Sequence, residues 1–239
     1  MIIGGFEKLS LIDYPDHLAA IIFTKGCNFR CKYCYNPMLV CPVEDADVKN
    51  NEGLNRFNEE DLLLFLKERF GRLDGVVISG GEPTLHPDLF EFIKKIKKIG
   101  YHVKLDSNGS NPGVLKKLIN EKLIDYIAMD IKAPLNDYEK VVGVKINFKN
   151  LAESVKIIMT SSIPYEFRTT MVPGLINEKD FVLMGESIKG ASSWYLQQFK
   201  SDTPLVDSKY GGKKSYTTKE MENFVNIGKK FVNICEFRG

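Results

Sequence analysis

Apolar residues come along this chain in short continuous runs, each followed by a stretch where they recur at helical spacing. Leu18-Ala19-Ala20-Ile21-Ile22-Phe23-Thr24 is such a run, the mark of a strand covered on both faces. Before it, Met1 to Pro15 reads as a short edge strand or hairpin ending at the Tyr14-Pro15 turn. Residues 42 to 57 are polar, with Glu44, Asp45, Asp47, Asn50, Asn51 and Gly53, and read as a surface loop. Asn58 then suits a helix N-cap, with Glu59, Glu60 and Asp61 in the first turn, where carboxylates meet the positive end of the helix dipole. Leu62, Leu63, Phe65, Leu66 and Phe70 supply its buried face, and Gly71 ends it.

The pattern then repeats. Val76 to Ile78 precedes a helix over about 87–99, and Tyr101 to Leu105 one over about 112–121. Ile124 to Met129 leads into helical material reaching about Thr160, and Glu166 to Val172 into a helix over about 178–189. Trp194 to Phe199 precedes a helix over about 218–230, whose start, Thr217-Thr218-Lys219-Glu220, has capping-box spacing, and Phe231 to Phe237 adds a final strand. The lysines at 94, 95, 97 and 98 fall opposite Phe90, Ile93, Ile96 and Ile99 and read as a solvated helix face.

Strands alternating with helices require parallel pairing and right-handed crossovers. Six such units are too few for a closed eight-unit barrel, so the fold expected is α/β, a partial (β/α)6 barrel of the TIM type, open on one side; a flat doubly wound sheet has nearly the same local signature. Polar or glycine-rich residues follow each strand: the segment from Gly26, Ser79-Gly80-Gly81-Glu82-Pro83-Thr84, Asp106-Ser107-Asn108-Gly109, Asp130-Ile131-Lys132, Arg168-Thr169-Thr170 and Gln197-Gln198. In parallel α/β folds the strand C-termini converge on one face, where sites are built, and this favours the barrel.

At 239 residues the chain is expected to form one domain, 1–239, and its 44% hydrophobic and 27% charged content is that of a soluble globular protein. A net charge of +2 is too small to argue for nucleic acid or a membrane surface. With no signal segment or membrane-length apolar run, a cytoplasmic location is expected.

The chemistry lies in the cysteines. Gly26-Cys27-Asn28-Phe29-Arg30-Cys31-Lys32-Tyr33-Cys34-Tyr35 gathers three of five into eight residues. A closed structural zinc site usually takes two separated Cys-x-x-Cys pairs, and no second pair follows; zinc held by Cys27, Cys31, Cys34 and Cys41 is the bland alternative. Three soft thiolates suit an iron–sulfur cubane whose fourth iron is left open to a ligand. Cys41 and Cys235 read as ordinary thiols, and His17, His86 and His102 have no metal spacing and no catalytic assignment.

The Cys-x3-Cys-x2-Cys spacing, with an aromatic before the last cysteine, resembles the radical S-adenosylmethionine superfamily. The resemblance implies one 4Fe-4S cluster on Cys27, Cys31 and Cys34, with S-adenosylmethionine chelating the open iron and cleaved there to a 5'-deoxyadenosyl radical. No catalytic residue is expected beyond cluster and cofactor.

Gly80 and Gly81 let backbone approach a ligand closely, and Glu82 offers an acceptor for an ammonium group; the stretch resembles the superfamily's glycine motif, which holds the methionine amino group. Ser107 and Asn108 are candidates for the ribose or methionyl carboxylate, against a plain Asn-Gly turn. Asp130 and Lys132 share one side of a strand end, placing the lysine for the methionyl carboxylate and Asp130 for a ribose hydroxyl, against a surface ion pair. Arg168 and Thr170 share a face, one of Gln197 and Gln198 must face the interior, and all four are candidate cofactor contacts. Tyr33 and Tyr35 flank Cys34, either lining the adenine or packing under the loop.

Within the superfamily, the opening from Gly4 through Asp13-Tyr14-Pro15, with Met129-Asp130-Ile131-Lys132-Ala133-Pro134, Met171-Val172-Pro173-Gly174 and Tyr195-Leu196-Gln197-Gln198-Phe199, resembles the activases of anaerobic ribonucleoside-triphosphate reductase. Tyr35 stands where a histidine is usual and Ser107 where a threonine is usual. The resemblance implies a glycyl radical installed on a partner reductase and an electron donor of flavodoxin or ferredoxin type; the open side of the expected barrel would be closed by the partner's glycine loop, with residues 38 to 57 as a candidate docking loop. Action on a small molecule or peptide, activation of another glycyl-radical enzyme, and a non-catalytic zinc module are the alternatives.

Overall fold

In a computed structural model the residues described are 1–40 and 58–238. The surface loop at 42–57, Cys41 and most of the docking segment at 38–57 lie outside them. Strands β1 (Ile3–Ser10), β2 (Ala19–Thr24), β3 (Gly75–Gly80), β4 (His102–Ser107), β5 (Tyr126–Asp130), β6 (Tyr165–Met171), β7 (Ser193–Gln198) and β8 (Ile234–Arg238) form one eight-stranded sheet in sequence order, with β1 and β8 at its ends. β1 runs antiparallel to β2, whereas β2-β3-β4 and β6-β7-β8 pair in parallel. Six strands, β2 to β7, each lead into helical chain, which is the (β/α)6 count read from the sequence.

Among the described residues the α-helices are α1 (Pro37–Val40), α2 (Glu59–Arg69), α3 (Leu89–Ile99), α4 (Pro112–Asn120), α5 (Tyr138–Val142), α6 (Phe148–Met159), α7 (Glu178–Ser187) and α8 (Thr218–Gly228). Asn58 caps α2, accepting from the Glu60 N–H at 3.1 Å, and Thr217 with Glu220 forms the capping box of α8. On α3 the buried residues are Leu89, Phe92, Ile93 and Ile96, at i, i+3, i+4 and i+7, so Phe92, not Phe90, lies on the core face. Phe90 instead lies under the Lys117 ammonium, 4.4 Å from the ring centre. Among the described residues no helix is long and apolar enough to cross a membrane.

The chain falls into two compact units. The first holds Met1–Asn28, Met38–Ser107 and Gly113–Ile127. Its strands β2 and β3 are almost wholly buried, as an unbroken apolar run requires. Tyr14 plugs one end of this unit, packed on Ala19, Ile21 and Val77. The buried Lys104 of β4 donates to the Asp13 carbonyl at 2.7 Å and so ties that turn to the strand. The second unit holds Phe29–Pro37, Asn108–Pro112 and Ala128–Gly239. There Trp194 of β7 stacks on Phe181 of α7 with ring centres 4.2 Å apart, and its indole N–H donates to Thr169 Oγ1 at 2.9 Å.

Candidate active site

In the first unit the glycines after β3 run beside the start of the cysteine segment. The Gly81 N–H donates to the Thr24 carbonyl at 2.9 Å and the Glu82 N–H to the Gly26 carbonyl at 2.8 Å, while the Gly26 N–H donates to Leu39 at 2.7 Å. A Cβ on Gly80 would lie 2.3 Å from the Thr24 nitrogen, and one on Gly81 2.0 Å from the Gly26 oxygen. Gly80 also sits at φ +115°, where side chains are strained. The space vacated by these missing side chains is therefore filled by the chain's own backbone, which fixes the root of the segment carrying Cys27.

Glu82 is fully buried, and its Oε1 accepts from the Thr84 N–H at 3.1 Å, the Thr84 hydroxyl at 2.5 Å and the Ser107 hydroxyl at 3.0 Å. Ser107 thus spends its proton on Glu82. Next to it, Asp106 accepts from the Ser79 hydroxyl at 3.0 Å and pairs with Lys104 at 3.0 Å.

The second unit gathers charges instead. Asp130 Oδ1 accepts from Arg168 Nε at 3.0 Å and Oδ2 from Lys132 Nζ at 3.0 Å. Side-chain exposures of 27%, 14% and 14% for Asp130, Lys132 and Arg168 make this a largely desolvated triad, not a surface pair. Burial by itself would raise the Asp130 carboxyl, but the Lys132 and Arg168 charges outweigh it and hold it down at about 2. Burial likewise disfavours the Lys132 ammonium, and Asp130 more than offsets it, so Lys132 titrates well above the ordinary lysine value.

The strand end carrying the triad is pinned from three sides. The Ile131 N–H donates to the Arg168 carbonyl at 2.8 Å, the Thr169 hydroxyl to the Ile131 carbonyl at 2.7 Å, and the Tyr138 hydroxyl accepts from the Lys132 N–H at 3.3 Å. Tyr33 is buried beside this group, and burial pushes its hydroxyl well above the ordinary tyrosine value, with Lys132 opposing.

The cysteine segment from Phe29 to Cys34 lies in this second unit between two stretches of backbone. On one side the Arg30 and Lys32 N–H groups donate to the Val142 and Val141 carbonyls at 2.7 and 3.3 Å, at the end of α5. Gly143 ends that helix at φ +72°, and a Cβ there would lie 2.7 Å from the Arg30 oxygen. On the other side Val206 donates to the Cys34 carbonyl at 3.0 Å and Asp207 to the Lys32 carbonyl at 3.1 Å.

Cys31 is buried, and Cys27 and Cys34 are half-buried. Among the described residues no three His, Cys, Asp or Glu side chains converge on a single ion. A cubane asks for no such convergence, because each thiolate reaches a different iron, and within the second unit Cys31 and Cys34 lie on backbone hydrogen-bonded on both flanks, which fits that group.

The remaining expected residues separate. Tyr35 is 51% exposed, and Asn108 is buried with its Oδ1 accepting from the Ser110 N–H at 2.9 Å, which closes an Asx turn. Thr170 stands opposite Gln197 in the β6-β7 register, as Arg168 stands opposite Tyr195. Gln198 falls on the other face and donates to the Tyr216 carbonyl at 2.6 Å, so of the two amides Gln197 shares the face of Arg168. His17 stacks on Tyr14 with ring centres 4.1 Å apart, and burial lowers the His86 imidazole. Cys235 is buried, and burial pushes its thiol up to about 12, as suits an inert packing residue.

Several residues of these clusters carry no sequence signal. Tyr138 lies beyond any motif, and the Val206–Asp207 contact comes from a polar stretch that reads only as loop. Glu166 is fully buried in β6 and pairs with Arg238 of β8 at 3.1 Å, while the Arg238 guanidinium lies 3.4 Å from the Tyr195 ring centre. Only the alternation of β6 places Glu166 on the face of Arg168.

Known proteins bear on this arrangement. The chain is 32% identical over 237 residues to a Methanocaldococcus jannaschii protein named as a glycyl-radical enzyme activating enzyme, covering 97% of this chain and 93% of the relative. It is 30% identical over 183 residues to the pyruvate formate-lyase-activating enzyme of Clostridium pasteurianum, covering 74% and 71%. Among solved structures, Streptococcus suis SuiB bound to the precursor peptide SuiA superposes with a TM-score of 0.65 at 13% identity over 92% of this chain and 48% of that one, a likeness of fold. Residues 21–184, more than half of the chain, match the model of the radical SAM superfamily, and the chain belongs to that superfamily, whose enzymes use a 4Fe-4S cluster and S-adenosylmethionine.

Proposed function

We propose that this enzyme installs a glycyl radical on a partner protein, and that the partner is anaerobic ribonucleoside-triphosphate reductase. The observation that carries the first part is similarity along 97% of the chain to a protein named as a glycyl-radical enzyme activating enzyme. The second part rests on the opening Gly4-Gly5-Phe6-Glu7-Lys8-Leu9-Ser10-Leu11-Ile12-Asp13-Tyr14-Pro15 and the strand-end motifs that resemble the reductase activases. Relatives named as pyruvate formate-lyase-activating enzymes favour a second reading, with pyruvate formate-lyase or a similar glycyl-radical enzyme as partner.

In this reading the thiols of Cys27, Cys31 and Cys34 hold the cluster. When bound, cluster and S-adenosylmethionine supply a 5'-deoxyadenosyl radical by one-electron cleavage of a sulfur–carbon bond. The chain's own residues bind and orient. Glu82, at the turn after β3, is assigned to the methionyl ammonium, and Lys132, with one of its three N–H donors spent on Asp130, to the methionyl carboxylate. Asp130, anionic at neutral pH, and the Ser107-Asn108 turn are assigned to the ribose, and Tyr33 to the adenine. Thr170, Gln197 and Arg168 form a polar strip for the backbone of an entering glycine loop. Hydrogen abstraction from a glycine carbon needs no general base, only a carbon held close and shielded from water, which agrees with the absence of any assigned histidine.

The test is anaerobic incubation of the reconstituted protein with S-adenosylmethionine, dithionite and, in separate samples, anaerobic ribonucleotide reductase and pyruvate formate-lyase. A glycyl-radical signal by electron paramagnetic resonance is expected with the reductase. A signal only with the lyase moves the assignment to the second reading, and none with either, alongside consumption of a small molecule, overturns both.

A further inference from the structure

Residues 201 to 213 form a closed loop between β7 and α8. The Gly212 N–H donates to the Ser201 carbonyl at 3.0 Å and the Ser201 hydroxyl to the Lys213 carbonyl at 2.7 Å, so the two ends are tied and the stretch has the length and closure of an Ω-loop. At its middle Val206 and Asp207 donate to the Cys34 and Lys32 carbonyls. This loop is therefore held against the backbone of the second and third cysteines by main-chain hydrogen bonds that no surface side chain can slide away from.

Its charge is uneven. From 200 to 214 there are four lysines, Lys200, Lys209, Lys213 and Lys214, against two aspartates. All four lysines are exposed, and no ion pair is recorded for any of them among the described residues. Asp207 turns its Oδ1 inward to accept from the Lys209 N–H at 3.0 Å, capping the turn at Ser208–Tyr210, and the Lys213 ammonium lies 4.0 Å from the Tyr210 ring centre. Lys209 is two residues from Asp207, so its backbone lies within roughly 8 Å of the contact with Lys32. Tyr35, next to Cys34, is itself exposed.

We propose that this lysine loop is the docking surface for an acidic one-electron carrier protein that reduces the cluster. The inference rests on the reading that Cys27, Cys31 and Cys34 hold a redox-active cluster. The docked carrier gives up one electron and is oxidised by one, the cluster gains it, and no proton or atom is transferred. Electron-transfer encounters use small, transient interfaces whose association is steered by complementary charge, and flexible lysines on a loop anchored to the cysteine segment fit that need. A carrier has to reach the cluster, whereas a glycine loop has to reach the cofactor's 5' carbon; a surface bonded to the Cys34 and Lys32 carbonyls serves the first.

The test replaces three lysines together, Lys209→Glu, Lys213→Glu and Lys214→Glu, with the three Lys→Gln changes as a milder second variant, in the reconstituted protein. Flavodoxin and a 2Fe-2S ferredoxin, both acidic, are the probes, with binding measured by calorimetry and cluster reduction by optical bleaching. The expected result is a Kd for at least one probe raised ~10-fold or more at low salt by the Glu variant and less by the Gln variant. The salt dependence of binding flattens in step, and dithionite-driven cleavage of S-adenosylmethionine is unchanged. Wild-type affinity and reduction rate in the Glu variant overturn the proposal, as does failure of the wild type to bind either carrier. If the Glu variant instead loses dithionite-driven activation of the glycyl-radical partner with carrier affinity intact, the loop docks the partner and the proposal is wrong. Because the dithionite arm reads partner activation without any carrier, failure of the function proposed above shows there and leaves the binding arm to judge the loop.

Discussion

The strand end after β3 and the strand end after β5 are both polar, yet they are stabilised by opposite means. After β3, in the first unit, the chain uses absence: Gly80 and Gly81 have no side chains because Thr24 and Gly26 backbone occupies that space, and the one carboxylate, Glu82, is held by neutral hydroxyls and an N–H. After β5, in the second unit, it uses charge, with two cations sharing the two oxygens of Asp130. The first cluster depends on the volume left free for backbone, and the second on the charges around Asp130. A ligand-binding role for either is therefore laid over a structural one, and substitutions have to be chosen so that the two separate.

The largest effect is expected from Gly81→Ala. Its Cβ would meet the Gly26 oxygen and carbon and the Leu39 oxygen, all backbone, and no side chain can give way. Thermal and denaturant unfolding should show a loss on the order of 3 kcal/mol, accompanied by loss of cluster incorporation through displacement of the Cys27 root. Near-wild-type stability with normal iron content would mean that the Gly26 contact is not rigid.

On the charged side, Asp130→Ala leaves Lys132 and Arg168 facing each other without a shared acceptor and should cost about 3 kcal/mol in denaturant unfolding. The double change Asp130→Ala with Lys132→Met should cost less than the single one, since one stranded cation is removed. Additive losses would show that the triad is not a coupled unit. Lys132→Ala alone keeps the Asp130–Arg168 pair, so it should fold and weaken S-adenosylmethionine binding, read by titration of the reconstituted protein.

The pH dependence of the second cluster follows from the sign of the Asp130 shift. Its carboxyl titrates at about 2 in the fold against an ordinary 3.8, so the stability it contributes is fully present above about pH 4 and is lost as pH falls toward 2. The difference in unfolding free energy between wild type and Asp130→Asn should therefore shrink by on the order of 2 kcal/mol across that window. A difference that stays constant from pH 5 to about pH 2 would place the carboxyl at its ordinary value.

Ser107→Ala tests the neutral side most gently. Glu82 Oε1 loses one of three donors, and a loss of about 1 kcal/mol is expected, restored by Ser107→Thr, which keeps the hydroxyl. Equal loss in both variants would assign the effect to packing.

What the sequence determined by itself is what short-range chemistry dictates. Ala19–Thr24, within the run from Leu18, is a buried strand because an unbroken apolar stretch has to be covered on both faces, Asn58 and Thr217 cap helices because their oxygens reach N–H groups two or three residues on, and Cys27, Cys31 and Cys34 fall within eight residues without help from any distant part of the chain. The six strand-end signatures were legible for the same reason, each being local. Tertiary structure decided whatever depends on residues far apart in the chain. That Ser107 gives its proton to Glu82, that Arg168 joins Lys132 on Asp130, that Gly80 and Gly81 make room for backbone, and that Val206 and Asp207 clamp the cysteine segment all rest on contacts across 25 or more positions. A glycine, a serine or an aspartate offers the same capacity in any of several settings, and only the packed neighbours select which bond is made.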